Sequence, residues 1–384
     1  MTQVAAAPTS LAVEALVEAA RARSGAAPDE PFEYLDALEA LVSSVESEAR
    51  LTPWGTRQAA EGFVAALAVQ AQVRRALEQH PEIAAGVAAR PVFVTGLPRT
   101  GTTLVHNLLD QHPDVHCPHF WELIAPAGSR DLREHTRLEA AARAWLDDYY
   151  AQAPSLPAIH LMAADRPDEC HRLLGNAFQS LIYSARYRAP TYTAWLMRRD
   201  VTDAFRFHRA QLACITWRIP SEVVGLKCPF HLWHLEPLRE VYPEAKLVVL
   251  HRDPVSAVPS LASLCATIMA ARSDEVDRHE VGAAWLAAVE RAVDDLLRRR
   301  DELGDVLHVR YPDLVGDPLG TMRRLLEFAE VPWTRPAEDA MRRWLAENPS
   351  GKHGVHRYTA EEFGLDPADL AERFAVYRET FGLS

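Results

Sequence analysis

PVFVTGLPRTGTTLVHNLLDQH, residues 91–112, holds the transition on which the fold turns. PVFVTG, 91–96, is a short, largely β-branched run ending in glycine, the pattern of a buried parallel strand entering a tight loop. LVHNLLDQH, 104–112, resumes helical periodicity. Between them GLPRTGTT, 96–103, sits where backbone N–H groups and the positive end of a helix form a phosphate cradle. Its GxxxxG spacing is that of a Walker A loop, but Thr102 stands where GxxxxGK(S/T) has lysine. The cation that reaches the β- and γ-phosphates of a nucleoside triphosphate is therefore missing, and ordinary ATP or GTP hydrolysis is disfavoured. What remains is a nest for one phosphate at Gly101, hydroxyls on Thr100, Thr102 and Thr103, and the guanidinium of Arg99. That set suits a nucleotide with a single 5'-phosphate and a transferable anion beyond it. The competing reading is a tight strand-to-helix turn with incidental threonines.

Further strands are expected at VVGLK (223–227), KLVVLH (246–251) and DVLHVRY (305–311), with helical patterns between them, such as HLWHLEPLREVY and Glu280 to Leu303. Alternating strands and helices imply an α/β fold: a P-loop-like parallel sheet flanked by helices on both faces. Residues 9–89 have Ala-rich helical spacing interrupted at Gly25 to Pro31 and Thr52 to Gly55, which predicts a region of three to four helices. Ser129 to Arg218 is helical in pattern, rich in Trp and Tyr, and breaks the strand series. It reads as an inserted substrate-side subdomain, giving a helical region over 1–90 and a main domain over 91–384.

The formal charge of the 384 residues is −12, which argues against a sequence-independent grip on nucleic acid or on an anionic membrane. Any anion site must be local. Only three of the 41 basic residues are lysine, Lys227, Lys246 and Lys352, so a lysine at a strand end stands out. Five scattered cysteines with no CxxC pair fit reduced thiols in the cytosol better than a disulfide framework. The N-terminal stretch has no basic n-region and is broken by Glu14 and Glu18, so it reads as an amphipathic helix and not a signal peptide. No apolar run reaches the roughly 18 residues of a membrane span. The expected location is the cytoplasm.

A second anion site is expected where KLVVLH runs into Arg252, Asp253 and Pro254, with Ser260 eight residues after the arginine on the following helix. An arginine at a strand end and a serine two helical turns on can converge on one anion. Together, PRTGTT and HRDPVSAVPS resemble the two cofactor signatures of sulfotransferases that use 3'-phosphoadenosine 5'-phosphosulfate (PAPS). GLKCPFHL resembles their KSP or KDPF segment, and VRYPDLVGDP their YEDL segment. KHGVHRYTAEEFGL and RFAVYRETFGL resemble the tail of bacterial members. The likeness runs from about residue 91 to the end, in the same order, with a layout similar to bacterial and tyrosylprotein sulfotransferases.

The resemblance implies that Arg99, Thr100, Gly101, Thr102 and Thr103 bind the 5'-phosphate and sulfuryl oxygens, and that Arg252 and Ser260 bind the 3'-phosphate. It further implies that Arg357 closes over that phosphate and that Tyr311 lies near the adenine. Sulfuryl transfer needs a base for the acceptor proton, an in-line arrangement, and cations where charge builds. By the same resemblance Glu122, in HFWELIAP, is the base, and Lys227 donates to the oxygen bridging phosphate and sulfate. A strand end is also where open α/β sheets place ligand groups. Small-molecule members use a histidine two residues after this lysine, where this chain has Pro229; His231 is the second choice as base, ahead of His119 and His171.

HLWH (231–234) and KHGVH (352–356) lack a third ligand nearby, so no metal site is expected. Tyr149, Tyr150, Tyr183, Tyr187, Tyr192 and Trp195 either line an acceptor pocket or fill a core. The acceptor is expected to be a small hydroxylated molecule. Two rivals stand beside this reading: a P-loop phosphotransferase, which requires an acidic strand end and magnesium, and a non-catalytic nucleotide-binding protein on the same scaffold.

Overall fold

A parallel ladder leaves no face for water, and the strand residues of this chain alternate to match that requirement. Phe93, Val224, Leu226, Leu247 and Val249 join one buried apolar cluster. Val92, Val94, Val223, Val248, Leu250 and Val309 join another. The computed structural model describes residues 10–85, 89–128, 132–219, 221–349, 352 and 357–383. Its strands are β1 (Arg90–Gly96), β2 (Val115–His116), β3 (Val223–Lys227), β4 (Lys246–His251) and β5 (Val306–Arg310). They form one five-stranded parallel sheet in the order β2-β3-β1-β4-β5.

That order decides where chemistry can sit. From central β1 the chain goes first to one side, to β2 and β3, and then to the other, to β4 and β5. The crevice outside the carboxyl ends of β3, β1 and β4 is the switch point at which open α/β sheets bind ligands. Val94 pairs with both Lys227 and Val248, and Gly96 with Leu250, so β3 stops two residues short of β1 while β1 and β4 end within one residue of each other. Gly96 is obligatory there: a Cβ would stand 2.2 Å from the Leu250 carbonyl oxygen, and its φ is +140°.

The N-terminal helices Val13–Ser24, Leu35–Glu48 and Pro53–Gln79 fall within the expected range. The third starts cleanly because Thr52 accepts from the Gly55 N–H at 2.9 Å and Pro53 occupies the first turn. Leu16, Leu41 and Phe63 of this region share a core with Tyr183, Tyr192 and the Leu247 face of the sheet. Between β2 and β3 lie the helices Phe120–Ile124, Leu132–Gln152, Leu156–Ile159, His171–Gly175, Ile182–Arg186, Pro190–Leu196 and Thr202–Arg218. Residues 129–131, where the insert was expected to begin, lie outside the described residues. Its Tyr183, Tyr187 and Tyr192 are buried, the first two edge-on to Phe63. Among the described residues no helix is long and apolar enough to cross a membrane.

Candidate functional site

The turn after β1 is wound tightly. Thr100 Oγ1 donates to the Leu97 carbonyl at 2.7 Å, Arg99 holds a left-handed φ of 70°, and Gly101, with φ +90°, precedes the helix Thr102–Leu109. A Cβ on Gly101 would meet Leu314 at 2.7 Å, so glycine lets β1's loop close against the segment after β5. Thr102 is the buried first residue of the helix, and Thr103 faces outward into a cleft.

Four residues expected to hold the nucleotide, Arg99, Ser260, Arg252 and Tyr311, are linked to one another. Arg99 Nε donates to Ser260 Oγ at 3.2 Å, and its Nη1 donates to the Ile159 carbonyl at 2.8 Å. Arg252 Nη1 donates to the Arg99 carbonyl at 2.8 Å, and its guanidinium lies 4.4 Å from the centre of the Tyr311 ring. Among the described residues neither Arg99 nor Arg252 has a carboxylate partner. Burial, reinforced by the charge of Arg252, lowers the pKa of Arg99. Two neighbouring guanidiniums with no counter-charge make a strong attraction for a doubly anionic ligand. Arg357 lies beyond this cluster. It lines a cleft with Ser155, Ser263 and Thr267, one turn past Ser260 on the helix Pro254–Ala270.

Lys227 ends β3 with 2% of its surface exposed, and its Nζ is 2.6 Å from Glu169 Oε1. Glu169 Oε2 is 2.9 Å from His171 Nδ1, and Asp168 pairs with Arg172 Nε at 2.7 Å. The Cys170 N–H donates to the Lys227 carbonyl at 3.0 Å, which pins the loop carrying both acids against the end of β3. Burial works to raise the pKa values of these acids. Lys227 overcomes it at Glu169, held well below the usual range, and Arg172 followed by Lys227 hold Asp168 at about 2. A cleft of about 280 Å³ is lined by Arg99, Thr103, His160, Asp168 and Lys227, with Trp344 and Lys352 at its side.

Asp168, Glu169 and His160 were not foreseen. The two acids lie in ADRPDECH, 164–171, and His160 just before it; the stretch has no periodicity and no recognised spacing, and its one signal was an acidic pair beside a proline-broken loop.

Glu122 is not brought to this cleft. It is 1% exposed at the third position of the helix Phe120–Ile124, accepting from the His119 N–H at 2.8 Å, with His116 Nε2 at 3.2 Å. Burial raises its pKa, but the bond to His116 prevails and leaves it lowered. The geometry is that of a carboxylate closing a helix N-terminus.

The alternative histidines are dispersed. His231 Nε2 lies 3.0 Å from Cys170 Sγ in the core between Phe93 and Phe205, and burial pushes its pKa well below 6.5. His119 Nε2 is 3.4 Å from Asp110, and His171 serves Glu169.

Two buried groups stand close enough to hold a small ion: Cys170, His208 and His231, and Glu169, His171 and Cys228. In the second, the carboxylate already engages Lys227. His353 and His356 lie outside the described residues. All five cysteines are free and buried.

The model of the family described as "Sulfotransferase family" matches residues 91–335. The sulfotransferase STF9 from Mycobacterium avium is 28% identical with a TM-score of 0.85, over 97% of each chain. The sulfotransferase STF1 from Mycobacterium tuberculosis is 29% identical with a TM-score of 0.82, over 95% of this chain and 98% of that one. The omega-hydroxy-beta-dihydromenaquinone-9 sulfotransferase Stf3 of Mycobacterium tuberculosis is 26% identical over 320 residues, 77% of each chain. Protein-tyrosine sulfotransferase 1 of Danio rerio is 26% identical over 242 residues, and the chain spans about half (53%) of its length.

Proposed function

The chain belongs to the sulfotransferase family, and from that premise we propose that it transfers the sulfuryl group of PAPS to a hydroxyl on a small molecule by in-line displacement. One observation carries this reading: three adjacent strands deliver Lys227, the loop of Arg99 to Thr103, and Arg252 to one edge of the sheet. A P-loop kinase needs an acidic strand end to hold magnesium, whereas these strand ends offer cations.

In this reading the loop N–H groups, Thr100, Thr102, Thr103 and Arg99 hold the 5'-phosphosulfate. Arg252 and Ser260 hold the 3'-phosphate, Tyr311 flanks the adenine, and Arg357 covers the nucleotide from the far side of the Ser260 helix. The guanidiniums of Arg99 and Arg252, which have no carboxylate partner among the described residues, fit a ligand with two separated anionic groups.

Lys227 is buried and already points a proton at an oxygen, that of Glu169. When the donor binds, its bridging oxygen takes the place of that carboxylate. The bond between sulfur and this oxygen breaks, the acceptor oxygen bonds to sulfur, and Lys227 stabilises the charge left on the departing phosphate. Glu169, released from its ammonium partner, rises in pKa and takes the acceptor proton. Glu169 replaces Glu122 as base in this proposal, because its neighbours Asp168 and Lys227 both line the cleft, whereas Glu122 is committed to the Phe120–Ile124 helix.

The printed name of the Stf3 relative gives it a hydroxylated lipid quinone as acceptor, which supports a small hydroxylated metabolite or lipid over a polyanionic glycan for an acidic protein. Free buried cysteines support a cytoplasmic location. The test is transfer of labelled sulfur from PAPS across a panel of phenols, sterols and aliphatic alcohols. Label should appear in at least one product with the native chain and in none with Lys227→Ala. Equal transfer by both chains would remove the reading.

A further inference from the structure

A second cavity, of about 460 Å³, opens between the helices Pro190–Leu196 and Arg278–Arg299 and the end of Pro254–Ala270. Its floor is apolar and buried: Leu181, Tyr187, Met269, Val281 and Trp285. Arg186 lines this cavity, and among the described residues its guanidinium has no hydrogen bond and no carboxylate partner. The other cations at the wall are engaged or outside: Arg188 pairs with Glu280, Arg291 donates to the Met197 carbonyl, and Arg198 is exposed. Arg186 is half-buried, with its guanidinium at the cavity wall, so an anionic group entering the cavity meets a free donor fork. Burial, helped by the charges of Arg172 and Arg272, lowers the pKa of Arg186; the carboxylates of the wall are engaged elsewhere, Glu275 with Arg50, Glu280 with Arg188 and Asp277 with the N–H groups of His279 and Glu280.

A relay of ring contacts links the cavity to the reacting groups. Trp285 stacks on Phe230 at 5.8 Å, and Phe230 lies 6.1 Å from the His171 ring. His171 in turn holds Glu169, which holds Lys227. The charge of Arg186 is felt at His171, which holds Glu169.

We infer that this cavity receives the acceptor, and that the acceptor is an amphiphile with an apolar chain and an anionic group, close to its reacting hydroxyl, that pairs with Arg186. The inference rests on the sulfotransferase reading and names its substrate class. The apolar floor takes the chain, whose volume falls in the range of small-molecule pockets. Arginine presents the planar fork that binds a carboxylate through two hydrogen bonds. With carboxylate and hydroxyl at the same end, the hydroxyl passes Phe230 toward Glu169 while the chain stays over Trp285.

Calorimetry on the full chain loaded with 3'-phosphoadenosine 5'-phosphate tests this, with β-hydroxymyristate and the corresponding uncharged diol as probes. Binding of that nucleotide is measured first; its failure counts against the proposed function itself, and the acceptor arm is read only on chains that bind it. β-Hydroxymyristate should bind the loaded chain. Arg186→Met should weaken it about tenfold or more while leaving the diol unchanged, the loss of one charge-assisted contact. Ala284→Trp, at an exposed position on the cavity wall, should abolish both. Equal affinity of native and Arg186→Met chains for β-hydroxymyristate would overturn the inference. So would absence of binding to a loaded chain, or a dimer that Ala284→Trp dissociates, since a second copy would then fill the cavity.

Discussion

Lys227 Nζ and Glu169 Oε1 stand 2.6 Å apart at the end of β3, both withdrawn from solvent, and this buried ion pair joins the stability of the site to its chemistry. Removing one partner strands a charge in low dielectric, which costs roughly 3–5 kcal/mol, whereas removing both together costs less. Lys227→Met and Glu169→Gln should each shift the denaturant midpoint strongly downward, and the double variant should recover part of the loss. Urea unfolding of the four chains checks it; strictly additive losses would mean that the two groups do not interact.

Two carboxylates, Glu169 and Glu122, separate two assignments of the base. Glu169→Gln should lower kcat by about 10²–10⁴, the usual contribution of a positioned base, with nucleotide affinity retained. Glu122→Gln should keep most of the turnover and lose about 1 kcal/mol of stability, because it weakens a helix-capping contact. Steady-state kinetics on both variants decides, and the reverse pattern would return Glu122 to the chemistry.

Asp168 gives the fold an acid limit. Its pKa is depressed in the folded state to about 2 from 3.8, by Arg172 and then Lys227 acting against burial. A depressed carboxyl contributes its stability fully above the unfolded value and loses it as pH falls through the folded one. The window is therefore from about pH 4 down to about pH 2, and the contribution is roughly 2 kcal/mol. Thermal unfolding between those pH values should fall less steeply for Asp168→Asn than for the native chain.

Arg252 supports the loop from across the sheet, through the Arg99 carbonyl on one side and the Tyr311 ring on the other. Arg252→Ala should weaken binding of 3'-phosphoadenosine 5'-phosphate by about tenfold to a hundredfold, the range of a lost charge-assisted hydrogen bond. It should leave adenosine 5'-phosphate, which lacks the second anion, less affected. Comparing the two nucleotides on native and variant chains measures this directly.

The legible part of this chain is the part whose local pattern and tertiary role agree. VVGLK and KLVVLH became β3 and β4 at their expected bounds because buried parallel strands are near-continuous apolar runs. β2 was not legible: two residues carry no period, and Val115–His116 is a strand only because β3 lies beside it. Arg99, Arg252 and Ser260 were named from motif spacing and Tyr311 from the family resemblance, and the fold brings them within hydrogen-bond or ring contact. Glu169 was hidden because its place depends on one backbone bond, from the Cys170 N–H to the Lys227 carbonyl, between segments 57 residues apart (227 − 170). Glu122 was expected as the base from the family resemblance, whereas its contacts are those of a carboxylate closing a helix N-terminus. The aromatic insert offered two readings, and both have a place: Tyr192 fills the core, while Tyr187 also lines the second cavity.

The central claim is a grip on two separated phosphates by the Arg99 loop and Arg252, and competition calorimetry between 3'-phosphoadenosine 5'-phosphate and ATP tests it most directly. The account predicts that the bisphosphorylated nucleotide binds the tighter of the two, without added magnesium, and that salt weakens it. Tighter binding of ATP, or a requirement for magnesium, would contradict it.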